Sequence, residues 1–497
     1  MSNIKKVRVM KAIKYLFMSA LLMGFSTGAV AQDGTAADVA AVKNLIKSNP
    51  ADLAKQMKAF YSKNKKNAEN LVAFGRAFFE AKDTTNARVA ANNALSATKR
   101  QCSPAYELLG DIAALSEDGG GAAAMYEQAI YIDKTNPEPY RKYALVYRKI
   151  DPDGAVAKLE ELRSVKPDFP VDALIADIYY RSLKYGSAIE TYAKVPQNQM
   201  TRTDFIQYAN ACYVAQQFQK GYDVAVAGLQ KEPNNGTLTR LAMFCSNNLK
   251  KYDEALKYGD ALFNKVHKDS VTFSHLDYLN YGNAFIGNDQ PEQAIEQFKK
   301  GLTVNVEDPS AYADIHKSLS DAYKAAKDFP NAIASYKQYL NTAKEPDAIA
   351  QAGLGTLMMN WARSLKVEGE EQMNEEEVNA YKEADKVWGD LVEKFPDAAE
   401  YALFQRGRVN AMLDPDSQQG LAKPHFEKLI ELINAREEHD ATDNSRLESS
   451  YRYLMSYYYS VAKDNKSALD WANKILEIKP DDEGIKKVVE SLSKSVK

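Results

Sequence analysis

The chain has 497 residues, 45% of them apolar and 26% charged, with a formal net charge of -3 and a mean hydropathy of -0.47. This length exceeds what one compact core supports, so the chain is either several domains or an array that grows by stacking. The composition argues against a disordered chain and against a polytopic membrane protein, and the acidic balance makes nucleic acid a poor partner.

At the N-terminus Lys5, Lys6, Arg8, Lys11 and Lys14 precede an apolar stretch from Tyr15 to about Phe25, and Ala29-Val30-Ala31 then supplies the small residues of a cleavage site. The expectation is a signal peptide over residues 1–31, cleaved between Ala31 and Gln32, and a protein that is periplasmic or otherwise exported. Met10 opens a more conventional basic region than Met1, so the start remains open between the two. The apolar run is shorter than the roughly 18–20 residues that span a bilayer, and no cysteine stands at the cleavage site to take a lipid anchor. Removing residues 1–31 takes away five basic and no acidic side chains, which leaves 59 Lys and Arg against 67 Asp and Glu, a charge of -8. Cys102, Cys212 and Cys245 are an odd number in an exported chain and are expected as small buried hydrophobes without a disulfide framework.

Residues 32–67 predict a capping helix pair broken at Asn49-Pro50. Beyond it a period emerges: Ala87, Ala122, Ala155, Ala188, Gly221, Ala255, Ala294, Ala332, Ala384, Ala422 and Ala468 recur at spacings of 33 to 52 residues, the first six close to 34. Twelve residues earlier, in eight of the eleven, stands a second and usually small position: Gly75, Gly110, Ala176, Ala209, Met243, Gly282, Ser320 and Ser456. The pattern predicts two antiparallel helices per period, with small residues where they cross and aromatics filling the space to the next pair. Repeats 1–8 are expected over 68–346. Repeats 9–11, with longer insertions, are expected over 347–482, and a C-terminal capping helix over 483–497. Gly119-Gly120-Gly121 is expected in the turn between the helices of the second repeat, where positive φ would explain it. The acidic stretch Val367–Glu377 lengthens the ninth repeat's connection as a solvated loop or helix extension, or else as a docking site for a basic partner.

The small residue, the Ala on the second helix, the aromatic four residues later and the terminal Pro at Pro167, Pro233, Pro396 and Pro480 resemble the tetratricopeptide repeat family over nearly the whole mature chain. The resemblance implies an all-α fold, a right-handed α-solenoid of about eleven helix pairs with terminal capping helices. It also implies a concave groove lined by the first helices, into which the position after the small residue points. That position is Arg76, Asp111, Leu145, Asp177, Asn210, Phe244, Asn283, Asp321, Arg363, Arg408 and Tyr457 in this chain. The candidate protein-binding residues are Arg141, Asp177, Asn210, Arg240, Asn283, Asp321, Tyr453 and Tyr457, with Asn210, Arg240 and Asn283 suited to a peptide backbone and the two tyrosines to an apolar side chain.

Nothing in the sequence adds a catalytic reading: there is no phosphate-binding glycine loop, nucleophile elbow or HExxH zinc motif. His267, His275, His316, His425 and His439 are scattered at no ligand spacing, so neither metal nor cofactor is expected. The function implied is a non-catalytic interaction scaffold of a Gram-negative-type envelope, binding protein or peptide segments and associated with envelope or outer-membrane complexes. The alternative is a glycan-binding outer-membrane protein on a similar scaffold, opposed by the missing lipidation cysteine and by the absence of long inter-repeat insertions.

Overall fold

The computed structural model describes residues 33–266, 272–367 and 372–496. The expected signal peptide and its cleavage site, His267 and part of the acidic insertion lie outside them. The described residues form twenty-five α-helices with a few short 3-10 or π turns and no strand, divided between Cys245 and Ser246 into two compact units.

The first unit opens with the pair Asp33–Ser48 and Leu53–Lys63, followed by repeat 1 (Ala68–Glu80, Thr84–Ala97), repeat 2 (Ser103–Leu115, Gly119–Ile132), repeat 3 (Pro137–Tyr147, Pro152–Val165), repeat 4 (Asp172–Arg181, Tyr185–Tyr192) and repeat 5 (Arg202–Val214, Phe218–Lys231). The boundary between the units falls inside Gly236–Asn248, the first helix of repeat 6, whose second helix is Tyr252–Asp260. The second unit continues with repeat 7 (His275–Gly287, Pro291–Leu302), repeat 8 (Ala313–Ala325, Phe329–Thr342), repeat 9 (Ala348–Ser364, Glu375–Lys394), repeat 10 (Ala399–Leu413, Lys423–Asn434), repeat 11 (Ala441–Ser460, Asn465–Ile478) and a last helix, Glu483–Ser495.

The recurring alanine is the steric key to these pairs. All ten alanines of the period are 0% exposed, and Gly221 is buried with them. The one glycine has a local cause: a Cβ there would stand 3.0 Å from Cys245 Sγ and 3.3 Å from Cys212 Cβ. The facing position is just as crowded. A Cβ on Gly110 would lie 2.4 Å from the Tyr126 ring, and one on Gly282 would lie 2.3 Å from Phe298. Each of those aromatics follows its repeat's alanine by four residues, so ring and alanine share one helix face.

The turn inside each repeat repeats as well. In nine of the eleven, the residue five before the alanine adopts positive φ, from Lys82 (65°) and Glu117 (62°) to Lys463 (57°). In seven of these the next N–H reaches back five residues over the end of the first helix, as Asp83 does to the Phe78 carbonyl and Asp328 to that of Tyr323. The second helix is then capped where an aspartate follows: Asp83 accepts from the Asn86 N–H at 2.9 Å and Asp118 from that of Gly121 at 2.8 Å. The expectation for Gly119–Gly121 needs correction here. These glycines form the first turn of the helix, and the left-handed residue is Glu117.

Candidate functional site

The first helices of successive repeats stand side by side, so residues one period apart can meet across them. In repeats 1–3 they meet as charges. Arg76 donates to Asp111 at 2.6 Å and to Glu107 at 3.0 Å, while Lys142 donates to Glu107 at 2.5 Å and to Asp111 at 2.9 Å. The Tyr126 hydroxyl adds a bond to Asp111 at 2.9 Å, and the Asp111 side chain is 0% exposed. Burial by itself would raise the Glu107 carboxyl, but Lys142 and Arg76 beside it hold it below its ordinary value. Burial also pushes the Tyr126 hydroxyl up, with Asp111 adding to it, so the ring stays neutral.

Repeats 3–5 continue in the same manner. Asp177 accepts from Arg148 at 2.8 Å, Arg181 at 2.7 Å and Gln207 at 2.9 Å, and Asn210 donates to the Tyr180 hydroxyl at 2.7 Å. Arg141 pairs with Glu138 on its own helix at 2.9 Å, and Arg240 is half-buried. The polar groups of Asp177, Asn210 and Arg141 are therefore engaged within the chain, and those of Asp177 and Asn210 tie one repeat to the next. All three thiols are free and buried, as small hydrophobes would be, and burial pushes Cys212 and Cys245 up to about 12.

In the second unit the first-helix face is built differently. Asn283 is half-buried, as is Tyr457, whose ring abuts Gly420 and the Lys423 ammonium. Tyr453 packs on Phe426 with ring centroids 5.2 Å apart, and its hydroxyl is out of solvent. Asp321 is another matter. It sits on a hollow of about 510 Å3 formed by the first helices of repeats 8, 9 and 10 with Tyr336 and Leu391 behind them. Lys317 and Lys324 approach its carboxylate at 3.6 and 3.3 Å, with all three side chains about half exposed. Ile349 stands at the rim, 80% exposed.

Of the registers read from the sequence, that of repeat 9 shifts here, while that of repeat 10, with Arg408 directly after the small residue, holds. A Cβ on Gly355 would meet the Trp388 ring at 2.5 Å, and one on Gly407 the Phe426 ring at 2.4 Å, so these glycines are the small residues of repeats 9 and 10. The position after the small residue in repeat 9 is thus Thr356, which lines the hollow, and Arg363 is two turns further on. In repeat 11, Ser456 is exposed and faces a smaller hollow beside the last helix.

Among the described residues no group of His, Cys, Asp and Glu could hold a metal ion, and no helix is long and apolar enough to cross a membrane. Burial holds His316 and His425 below the ordinary imidazole value.

The tetratricopeptide repeat family model matches residues 279–349, from the first helix of repeat 7 to the opening of repeat 9. The matched segment is thus built of tetratricopeptide repeats, and its alanine register is shared by the other helix pairs of this all-α chain. Such arrays are in general non-catalytic scaffolds for protein interaction. No curated protein matches the sequence. Among solved structures, the C-terminal part of a TPR repeat-containing protein from Cytophaga hutchinsonii is 22% identical, over 57% of this chain and 99% of that one, with a TM-score of 0.45. A tetratricopeptide repeat protein from Parabacteroides merdae is 14% identical, over 59% and 98%, with a TM-score of 0.26. YrrB, described as a TPR protein with an unusual peptide-binding site, is 17% identical, over 46% and 96%, with a TM-score of 0.28.

Proposed function

We propose that this protein is an exported, non-catalytic scaffold of the cell envelope that holds partner protein segments against the first helices of its repeats, chiefly those of repeats 8–10. Export is supported by the basic, apolar and small-residue sequence that ends at Ala31. The observation that carries the binding reading is the hollow of about 510 Å3 with Ile349 80% exposed at its rim, whereas the first-helix polar groups of repeats 1–5 are engaged internally.

Two experiments test this reading. Intact-mass analysis of the protein from its native envelope should give a chain that begins at Gln32, whereas an unprocessed cytoplasmic chain would defeat the export reading. Cross-linking followed by pull-down from the same envelope should recover partner proteins whose cross-links map to first-helix residues of repeats 8–10. Cross-links confined to second helices, or to the acidic insertion, would move recognition off this face.

A further inference from the structure

The scaffold reading leaves the chemistry of the bound segment open, and the hollow on repeats 8–10 narrows it. Three side-by-side helices at the usual 8–10 Å separation span about 16–20 Å, which an extended chain covers in about five or six residues. The hollow therefore has the reach of a short extended segment lying along the stack. Tyr336 backs it against repeat 9, where its hydroxyl donates to the Ala350 carbonyl at 3.0 Å and fills the space over Gly353, 1.9 Å from any Cβ there. Small residues on that helix leave a floor that a side chain of moderate size can enter, with Leu357 beneath and Ile349 and Tyr401 beside it. An aliphatic side chain placed there would cover Ile349, whose exposure is otherwise unfavourable.

Charge sets the other half of the specificity. The charged lining is two lysines against one aspartate, in a chain whose net charge is -3. Lys317 and Lys324 are roughly half exposed and share the single Asp321 carboxylate at 3.6 and 3.3 Å, which contrasts with the Lys142 ammonium, 9% exposed and held at 2.5 and 2.9 Å by two carboxylates. Loosely held exposed ion pairs cost little to exchange, so an incoming carboxylate can take over one lysine while Asp321 keeps the other. A basic segment would instead face two like charges.

We propose that this hollow recognises an extended peptide segment that carries an aliphatic side chain next to an acidic one, the first seated against Ile349 and Tyr401 and the second on Lys317 and Lys324. This proposal rests on the scaffold reading.

The test is selection of random heptapeptides displayed on phage against the immobilised mature chain, followed by fluorescence anisotropy of the labelled consensus peptide. The wild-type chain should enrich an aliphatic residue within three positions of Asp or Glu. Ile349→Asp should weaken the consensus peptide at least tenfold. The double variant Lys317→Glu, Lys324→Glu should weaken it comparably and turn the enriched charge from acidic to basic, with circular dichroism unchanged. Enrichment without acidic residues, or binding indifferent to both variants, would overturn the proposal. If selected peptides lose binding only on Arg141→Ala with Arg240→Ala, the pocket is wrong while the scaffold reading survives. No enrichment at all would also overturn the pocket, and the envelope cross-links then decide the scaffold reading separately.

Discussion

Asp111 and Asp321 hold the same place in their repeats, one residue after the small residue of the first helix, yet the first is fully buried and the second about half exposed. The difference lies in the neighbours. Asp111 meets Arg76 from the repeat before and Lys142 from the repeat after, so four charges close over one another and the face between those repeats fills. Asp321 finds the uncharged Thr356 at the matching place of repeat 9, and its lysines come from its own helix. One repeat plan thus yields an internally satisfied seam where charges alternate from repeat to repeat, and an open hollow where they do not.

Breaking the seam should have the largest effect. Lys142→Met leaves Glu107 and Asp111 with Arg76 alone, and removing one partner of a buried ion pair typically costs about 3–5 kcal/mol, to be measured by urea unfolding of the mature chain. The same network fixes a response to acid. Glu107 is held below its ordinary value of 4.5 in the folded chain, so its stabilising contribution is present above that value and is lost as pH falls through the lower folded value. Thermal melts in the wild type should therefore fall more steeply below about pH 4.5 than in Glu107→Gln.

Crowding at the helix crossings should come next. Ala294→Leu adds bulk at a fully buried crossing, and Gly110→Ala puts a methyl where the Tyr126 ring lies, so each should lower stability by about 1–3 kcal/mol. Lys300→Leu, on an exposed helix position of the same repeat as Ala294, should leave the melting temperature unchanged. Equal tolerance at the three positions would undo the register on which the comparison rests. The smallest effect belongs to the open region: Lys317→Ala with Lys324→Ala removes exposed pairs and should change stability by less than about 1 kcal/mol.

The steric part of the design was legible in the sequence because it is local. An alanine that must sit at a helix crossing recurs whatever the loops do, and every one of those positions is buried. The fixed offset of twelve failed where the connection inside the repeat changes length, which hid Gly355 and led to Arg363 in place of Thr356, although Arg408, after Gly407, was placed correctly. The seam was harder to see, because ion pairs across stacked helices join residues far apart in the chain. A signal existed: Arg76 and Asp111, and likewise Glu107 and Lys142, are opposite charges 35 residues apart, close to one period. The hollow had no such signal, since its lining comes from three first helices, with Tyr336 and Leu391 behind them, far apart in the chain.

Whether recognition concentrates on the open region is decided most directly by the affinity of one partner, recovered from the envelope, for three forms of the mature chain. Ile349→Asp should weaken it at least roughly tenfold, about 1.4 kcal/mol, while Arg141→Ala with Arg240→Ala should leave it within about twofold of the wild type. A partner indifferent to Ile349→Asp and lost on the Arg141 and Arg240 substitutions would place recognition on the first unit and contradict the division drawn between sealed and open repeats.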